Sequence, residues 1–171
     1  MTGRSWLRRI CFKAYNLASN LRLGGIGSRI RVYFLGKCIG GCGKNVYVGR
    51  NVCIVSPCNL TLGSNISIHD GCYIDASGDI LIKDDVSIAH DCSILSANHT
   101  YKDLRLPIRN NPLSLAPVVI ERDCWLGCKV VVLPKVTIST RTIVAAGGIV
   151  TKTFPSNVII GGNPAKMIKE I

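Results

Sequence analysis

The chain from residue 118 to residue 150 reads VVIERDCWLGCKVVVLPKVTISTRTIVAAGGIV. In this stretch an aliphatic side chain stands at every sixth position, at Ile120, Leu126, Val132, Ile138, Val144 and Val150. No ordinary helix or strand has a period of six, because their side-chain periods are about 3.6 and 2 residues. A solenoid does, since each of its repeats is one short strand followed by a corner. The stretch therefore predicts an all-β solenoid.

The same phase extends back toward the amino terminus through steps of six that are interrupted by steps of eight. The aliphatic positions of this earlier series are Val48, Ile54, Leu62, Ile68, Ile74, Ile82, Ile88 and Ile94. One circuit of the coil then takes about twenty residues, and three strands per circuit make a triangular prism. We expect the repeated aliphatic side chains to point into the prism, because burying each one contributes roughly 1.5–3 kcal/mol.

Nine cysteines raise the question of disulfides or a metal site. Cys38 and Cys42 form a CxxxC pair, which lacks the second pair of a zinc site. Other cysteines share a phase of the repeat that alternation along a strand turns inward. They are Cys58, Cys72, Cys92 and Cys124, in phase with Val46, Val52, Ile66 and Val86. We expect reduced thiols that act as small apolar side chains, and a reducing cytosolic compartment.

The six-residue period stops at residues 96–117, SANHTYKDLRLPIRNNPLSLAP, and restarts at Val118. This insert is polar, basic and proline-containing. An irregular excursion of this length inside a compact repeat is usually functional. We therefore predict an extended loop at about 96–117 that carries part of a site.

Residues 4–22 are predicted to form a short amino-terminal amphipathic helix, because apolar residues recur there at three- and four-residue spacing. The helix can cap the open end of the solenoid or lie on an anionic lipid surface, and the two roles are compatible. Gly24, Gly25 and Gly27 then break the pattern. The chain divides accordingly into a capping segment at 1–45 and a solenoid domain at 46–171.

The net charge of the chain is +11, and the basic residues are unevenly distributed. Residues 1–69 hold ten lysines and arginines and no acidic residue. This basic front part suggests an anionic partner, such as a membrane surface, a phosphate-bearing cofactor or nucleic acid, or it serves solubility alone. No apolar run is long enough to predict a membrane-spanning helix, and the amino terminus does not match the pattern of a secretory signal.

Three stretches resemble the hexapeptide-repeat acyltransferases: CWLGCKVVVLPKVTI at 124–138, VAAGGIVTKTFP at 144–155 and GGNPAKMIKEI at 161–171. The loop NHTYKDLRLPIR at 98–109 adds to the match, which covers about residues 46–171. Within the family the chain is most similar to sugar O-acetyltransferases of the galactoside, maltose and capsule or lipopolysaccharide type. The resemblance implies a left-handed parallel β-helix, a homotrimer and acetyl-CoA as the acetyl donor.

His99 matches the family's catalytic histidine before the extended loop, and the resemblance implies that it is the general base. A neutral imidazole can take the proton of a hydroxyl as that hydroxyl attacks a thioester, which contributes about 10²–10⁴-fold to the rate. For the acceptor, the resemblance indicates His69, which falls where galactoside-type enzymes have a sugar-binding asparagine. Asp75 is expected to orient His99 or to bind a sugar hydroxyl, with Asn98 near the same pocket and Trp125 flanking it.

The family match also implies a cofactor-binding set for the pantetheine arm and the phosphates of acetyl-CoA. Its members are Cys128, Ala146, Thr151, Lys152, Lys166 and Lys169. Cys128 stands where relatives often have a serine, and a thiol is the weaker hydrogen-bonding group. Lys166 and Lys169 are expected to reach the phosphates.

The other polar residues leave alternatives open. Lys102, Arg105 and Arg109 of the insert can hold an anionic acceptor, such as an acidic sugar or a lipid-diphosphate saccharide, and His90 is expected to be a solvated corner residue. A three-histidine zinc site, as in β-helical carbonic anhydrases, is not expected, because gaps of 21 and 9 residues separate the histidines. We predict no metal and no nucleic-acid partner.

The sequence thus predicts a homotrimeric, cytoplasmic O-acetyltransferase that acts on a sugar in surface polysaccharide assembly. Peripheral contact with the inner membrane face through residues 1–22 is an open alternative to a purely capping role. Rival hypotheses are N-acetylation of an amino sugar or nucleotide sugar, a serine acetyltransferase-like enzyme, and a β-helix scaffold without activity.

Overall fold

The computed structural model describes the backbone of residues 3–171 and the side chains of residues 6–171. The first residues of the predicted capping segment 1–45, which also begin the predicted membrane-binding segment 1–22, lie outside the described residues. Two helices are followed by short strands that stack into three parallel sheets. Each sheet is one flat face of a prism, and the chain visits faces A, B and C in turn. One such circuit is called a rung.

The strands of each face, and the corners between faces, are named as follows. Face A consists of β1 Gly41–Cys42, β4 Leu60–Leu62, β7 Ile80–Ile82, β12 Val118–Ile120 and β15 Thr137–Ile138. Face B consists of β2 Val46–Val48, β5 Ile66–Ile68, β8 Ser87–Ile88, β13 Trp125–Leu126, β16 Ile143–Val144, β18 Val158–Gly161 and the antiparallel β19 Lys166–Glu170. Face C consists of β3 Cys53–Val55, β6 Tyr73–Asp75, β9 Ser93–Leu95, β14 Val131–Val132 and β17 Ile149–Val150. The turns that join the faces form the A–B, B–C and C–A corners.

The interior of the prism is filled by the repeated aliphatic side chains. Every residue of the two predicted aliphatic series is buried. The parallel ladders hold these residues in register, so that Ile68 is paired with Ile88 and Ile88 with Leu126 on the following rung. The predicted inward rows are therefore confirmed.

The second predicted inward phase is confirmed at most of its positions, which are Val52, Ile66, Cys72, Val86, Cys92 and Cys124. The prediction is wrong for Cys58, whose thiol is exposed. A 3-10 turn at Pro57–Asn59 lengthens this corner, so that Leu60 rather than Cys58 takes the buried position. Val46, on the first rung of face B, is half-buried. All nine cysteines are free thiols, and burial raises the pKa of Cys38 to about 11.

Most corners turn through one residue with a positive φ angle, and asparagine or aspartate often occupies that position. Their short polar side chains tolerate this conformation better than other non-glycine residues do. At the A–B corner they also bond to each other from rung to rung. The Asn45 amide donates to Asn65 at 3.0 Å, and the Asn65 amide donates to the Asp85 carboxylate at 2.8 Å. The corners are thus ordered without a glycine at each turn.

The predicted extended loop leaves the C–A corner and contains an antiparallel pair of strands, β10 Ala97–His99 and β11 Leu113–Leu115. A second 3-10 turn covers Ile108–Asn110. Asn111 is buried, and its side chain bonds to backbone groups of the loop. The insert is therefore an ordered projection from the prism.

Two helices precede the solenoid, α1 Gly3–Ala18 and α2 Gly24–Gly36, where the sequence predicts only one. The glycines expected to break the helical pattern instead begin α2. Gly27 has a packing reason, because a Cβ there would lie 3.0 Å from the Leu21 carbonyl oxygen and 3.2 Å from the guanidinium of Arg31. Among the helices of the described residues, none has the length and apolarity needed to cross a membrane.

The two helices cover the open edge of the first rung. The backbone N–H of Val48 donates to the Ser28 hydroxyl at 3.1 Å, and the Val48 carbonyl accepts from the Arg31 side chain at 3.0 Å. The buried Tyr15 donates its hydroxyl to the Val52 carbonyl at 2.6 Å and packs in the same apolar core as the solenoid. These contacts satisfy strand groups that an open edge would leave unpaired. A boundary between units at residue 45 stays a prediction.

Arg31 is a buried charge at the centre of this cap, with only 2% of its surface exposed. Besides Val48, its guanidinium donates to the carbonyls of Ala18 at 3.4 Å and Leu21 at 3.2 Å, at and just beyond the end of α1. A cation at a helix carboxyl end is stabilised by the helix dipole. Arg31 therefore joins α1, α2 and the first strand of face B.

We predict that Arg31→Met lowers the free energy of unfolding by about 2–4 kcal/mol, because it leaves several buried or half-buried carbonyls without a donor. The measurement is urea-induced unfolding followed by circular dichroism. Arg29→Met is the matched control, since Arg29 is on the same helix and exposed, and we expect it to change stability by less than about 0.5 kcal/mol. Equal effects of the two substitutions would contradict the role of Arg31.

Candidate functional site

One group of predicted site residues lies at the C–A corner. Asn98 and His99 are on β10, and both side chains are exposed. The base of the loop is tied to the corner, because the Ala116 N–H donates to the Ser96 carbonyl at 3.0 Å. The His99 imidazole is therefore presented to solvent from an ordered strand pair.

Asp75 ends β6 at the same corner, but its carboxylate is engaged locally. It accepts hydrogen bonds from the backbone N–H of Ser77 at 3.0 Å and from the Ser77 hydroxyl at 2.6 Å. The buried Ser96 hydroxyl donates to the Asp75 carbonyl at 2.6 Å. These bonds fix the point from which the loop departs, and a direct contact between Asp75 and His99 stays a prediction.

Thr151 and Lys152 follow β17 and are exposed near this corner. The Lys152 ammonium lies 5.4 Å from the centroid of the Phe154 ring, which is a cation–π distance. The C–A corner thus holds the predicted base and part of the predicted cofactor-binding set.

The other predicted residues near a corner are His69, Cys128 and Ala146, and they lie at the B–C corner. A backbone hydrogen bond repeats there on each rung, at 2.8–3.1 Å, onto the carbonyls of Arg50, Asp70, His90 and Cys128. With the strand registers, this places one residue of each rung at the same corner position, about 4.8 Å from the next. We call this set the corner column, and its members are Arg50, Asp70, His90, Cys128 and Ala146.

The lower end of the corner column opens into a hollow of about 600 Å³. Tyr47 and His69 line it, and their ring centroids are 5.6 Å apart. The Arg50 guanidinium donates to the Asp70 carboxylate at 2.8 and 2.6 Å, and the Arg50 N–H donates to it at 2.7 Å. Burial by itself would raise the pKa of Asp70, but the hydrogen bonds from Arg50 outweigh it and lower that pKa below its usual value. Asp70 is therefore a fixed, ionised acceptor at neutral pH.

Trp125, Lys166 and Lys169 lie on face B rather than at either corner. Trp125 is on β13, has 52% of its surface exposed and lines a separate hollow of about 320 Å³ that also includes Ile171. Lys166 and Lys169 are exposed on β19, at the end of the same face. Within one chain, the structure does not bring Trp125 together with His99.

Of the residues that line the large hollow, only His69 belongs to the site predicted from sequence, and Tyr47, Arg50 and Asp70 are among those that were missed. The signal that could have found two of them is the length of a circuit. Arg50, Asp70 and His90 follow each other at intervals of twenty residues, so they must stack if the strands are in register. In the part of the chain that the structure describes, no group of three histidine, cysteine, aspartate or glutamate side chains is arranged to hold a metal ion.

Comparison with known proteins places this prism and its histidine-bearing loop in a class of acetyltransferases. No family model matches the chain. The colanic acid biosynthesis acetyltransferase WcaF of Escherichia coli is 34% identical over 128 residues, which cover 75% of this chain and 68% of that protein. The chain belongs to the hexapeptide-repeat acetyltransferases.

Two solved structures of similar proteins agree with this assignment. A maltose O-acetyltransferase from Clostridium difficile superposes with a TM-score of 0.84 at 28% identity, over 98% of this chain and 88% of that one. A hexapeptide-repeat acetyltransferase from Vibrio cholerae, solved with acetyl-CoA, gives a TM-score of 0.84 at 25% identity, over 97% of this chain and 87% of that one. The superpositions give the solenoid the hand of these structures. The predicted family and the predicted left-handed parallel β-helix are confirmed.

Proposed function

We propose that the chain transfers the acetyl group of acetyl-CoA to a hydroxyl of a sugar during assembly of a surface polysaccharide. The observation that carries the proposal is the exposed His99 on the ordered β10–β11 pair of a hexapeptide-repeat acetyltransferase. The names of the relatives support a sugar acceptor, since one is named for colanic acid biosynthesis and another for maltose acetylation. The acetyl-CoA bound in the Vibrio cholerae structure supports the donor.

His99 is proposed to act as the general base. Its neutral imidazole takes the proton of the acceptor hydroxyl while the hydroxyl oxygen bonds to the thioester carbonyl carbon. The carbon–sulfur bond then breaks, the acetyl ester remains on the sugar, and the imidazolium returns the proton to the sulfur of CoA. A covalent acetyl-enzyme is not required, because binding both substrates together makes the transfer effectively unimolecular.

The donor is proposed to lie along the upper part of the corner column. Cys128 and Ala146 would contact the pantetheine arm, and Thr151 and Lys152 at the C–A corner of a second copy would contact it from another side. Lys166 and Lys169, near the carboxyl-terminal rungs, would bind the phosphates. With its phosphates at the upper rungs, the donor would point its thioester toward the lower rungs.

The proposed base and the corner column do not meet within one chain, because face C separates the C–A corner from the B–C corner. A second copy that sets its C–A corner against the first copy's B–C corner would complete the site. Apolar side chains on the loop support such a contact, since Leu104 and Ile108 are 93% and 66% exposed. Closing these head-to-tail contacts around a three-fold axis gives a homotrimer with one site at each interface.

We predict that His99→Ala lowers kcat by about 10²–10⁴-fold without changing the affinity for acetyl-CoA, because only proton removal is lost. Release of free CoA thiol with a panel of glycans measures the rate, and calorimetry measures binding. Ser114→Ala, which alters the exposed strand paired with Asn98, is the control and should retain activity. An unchanged rate in His99→Ala would exclude the proposed base, and faster turnover of an amino sugar than of its hydroxyl analogue would favour N-acetyl transfer.

We further predict that two inactive variants restore activity when their subunits are mixed. Ala146→Trp blocks the corner column at an exposed position, whereas His99→Ala removes the base. If each site takes His99 from one copy and the column from the next, random mixed trimers regain about a quarter of the normal activity. The mixture is made by co-expression and assayed by thiol release. A mixture as inactive as its components would show that both elements serve the site from the same chain.

The proposed association with a membrane depends on the two sides of α1. Cys11, Tyr15 and Ala18 face the solenoid and are buried. A neighbouring stripe is exposed, at Trp6, Ile10 and Leu17, which are 66%, 42% and 85% exposed. Arg9 and Lys13 lie beside this stripe, and such an arrangement suits the interface of an anionic bilayer. We propose that this stripe lies on the cytoplasmic membrane surface while the buried side caps the prism.

We predict that the double substitution Ile10→Ser and Leu17→Ser abolishes binding to vesicles of phosphatidylcholine and phosphatidylglycerol, because it removes apolar contact without disturbing the cap. Co-sedimentation measures binding, which in the wild type should weaken as salt is raised. The matched control is Met167→Ser with Ile168→Ser, two exposed apolar residues on β19. Wild-type protein that fails to sediment with these vesicles at low salt would refute membrane association.

A further inference from the structure

A second hollow adjoins the one at the lower end of the corner column. The second hollow has a volume of about 440 Å³, shares Tyr47, Arg50 and Asp70 with the first, and reaches Arg22 and Gly25 in the turn between α1 and α2. The two hollows adjoin at these three shared side chains, and together we call them the corner trench. Its inner end lies at His69 and His90, and its outer end lies at the helical cap.

The inner end of the trench is aligned with the column proposed to receive the donor. His90 stands one rung below Cys128, and Asp70 stands one rung below His90. A donor that runs down the column from Ala146 would therefore bring its reactive end to the inner trench. A ligand in the trench lies in line with the donor, as an acceptor must.

The lining of the trench suits a carbohydrate. Tyr47 presents an aromatic face that is 39% exposed, beside the ring of His69. Sugar rings combine an apolar face, which packs on aromatic rings, with hydroxyls that need fixed acceptors and donors. The Asp70 carboxylate held by Arg50 is such an acceptor, and the two imidazoles add further hydrogen-bonding groups.

The outer end of the trench is open because its wall is bare backbone. A Cβ added at Gly24 or Gly25 would meet no atom within 4 Å. The inner hollow alone has the volume of a small-molecule site, so the outer hollow provides room for a second unit of the ligand. Arg22 lines that second space.

We propose that the corner trench binds the acceptor as an oligosaccharide, with the acetylated sugar at His69 and His90 and the next sugar over Tyr47 against the α1–α2 turn. This inference rests on the proposed function and adds the acceptor class, a glycan of at least two units. A monosaccharide fills only the inner part and binds more weakly. A nucleotide sugar is the competing ligand class for the same trench.

The test measures dissociation constants of the full chain by isothermal titration calorimetry. The probes are glucose, maltose and maltotriose as a neutral series, mono-, di- and trigalacturonate as an acidic series, and UDP-N-acetylglucosamine. We expect at least about tenfold tighter binding of the disaccharide than of the monosaccharide in one series, because a second unit gains new contacts. Equal affinities within both series, no saccharide binding, or binding of the nucleotide sugar alone would overturn the proposal.

Three variants test whether the tighter binding of the disaccharide arises in the corner trench. Tyr47→Ala and Gly25→Leu should remove the preference for the disaccharide, the first by deleting the aromatic face and the second by filling the outer hollow. Tyr73→Ala is the matched control, because Tyr73 is a strand tyrosine on face C with 40% exposure, close to the 39% of Tyr47, and it should keep the preference. A preference that survives both trench substitutions would overturn the assignment.

The proposed acetyl transfer and the proposed oligosaccharide site can be refuted independently of each other. If acetyl transfer is detected but monosaccharides are bound and acetylated as well as disaccharides, the oligosaccharide trench is wrong and the proposed function stands. If disaccharides bind through Tyr47 but no CoA thiol is released with any of them, the trench stands as a glycan site and the proposed function is wrong.

Discussion

The in-register parallel ladder is the constraint on which the rest of the structure depends. Each rung bonds to the next through the backbone, so that a residue stacks on the one that occupies its place a circuit later, as Ile68 does with Ile88 and Ile88 with Leu126. A slip of one residue would turn a whole aliphatic row into solvent. The free-energy cost of that exposure fixes the register of the buried rows. The same register then determines which surface residues stack on one another. The corner column is a consequence of the buried rows.

The fold could be predicted because a single physical variable, the six-residue period, decides it. Its prediction is wrong where something other than the period determines position, as at Cys58, where a 3-10 turn takes the inward phase away from the thiol. Helix α2 was not predicted for a different reason. Its sequence is rich in glycine, and the contacts that hold it, such as Ser28 and Arg31 with Val48, join residues far apart in the chain. Such contacts cannot be inferred from local sequence patterns.

The candidate site could be predicted only in part. His99 is recognisable because it lies in a conspicuous interruption of the period and matches a family motif. Tyr47, Arg50 and Asp70 have no local signature, since Tyr47 lies within an ordinary strand and the other two lie in ordinary corners. Their relation appears only when residues one circuit apart are placed side by side, which brings the Arg50 guanidinium within 2.6 Å of the Asp70 carboxylate. For a solenoid, chemical patterns are therefore better sought at the interval of a circuit than along the chain.

The helical cap links stability to recognition. The turn between α1 and α2 forms the outer wall of the corner trench, and its position depends on the bond from the Arg31 guanidinium to the Leu21 carbonyl. Arg31 also lines the outer hollow, and its charge helps to lower the pKa of Asp70 at the other side of the trench. One buried arginine thus donates a hydrogen bond to the first strand of face B and holds the end of α1. Its positive charge also contributes to the electrostatic field in which an acceptor would bind. Because these contacts share a single side chain, the cap and the trench have to form together, and a chain that loses the cap loses the outer wall of its proposed acceptor site as well.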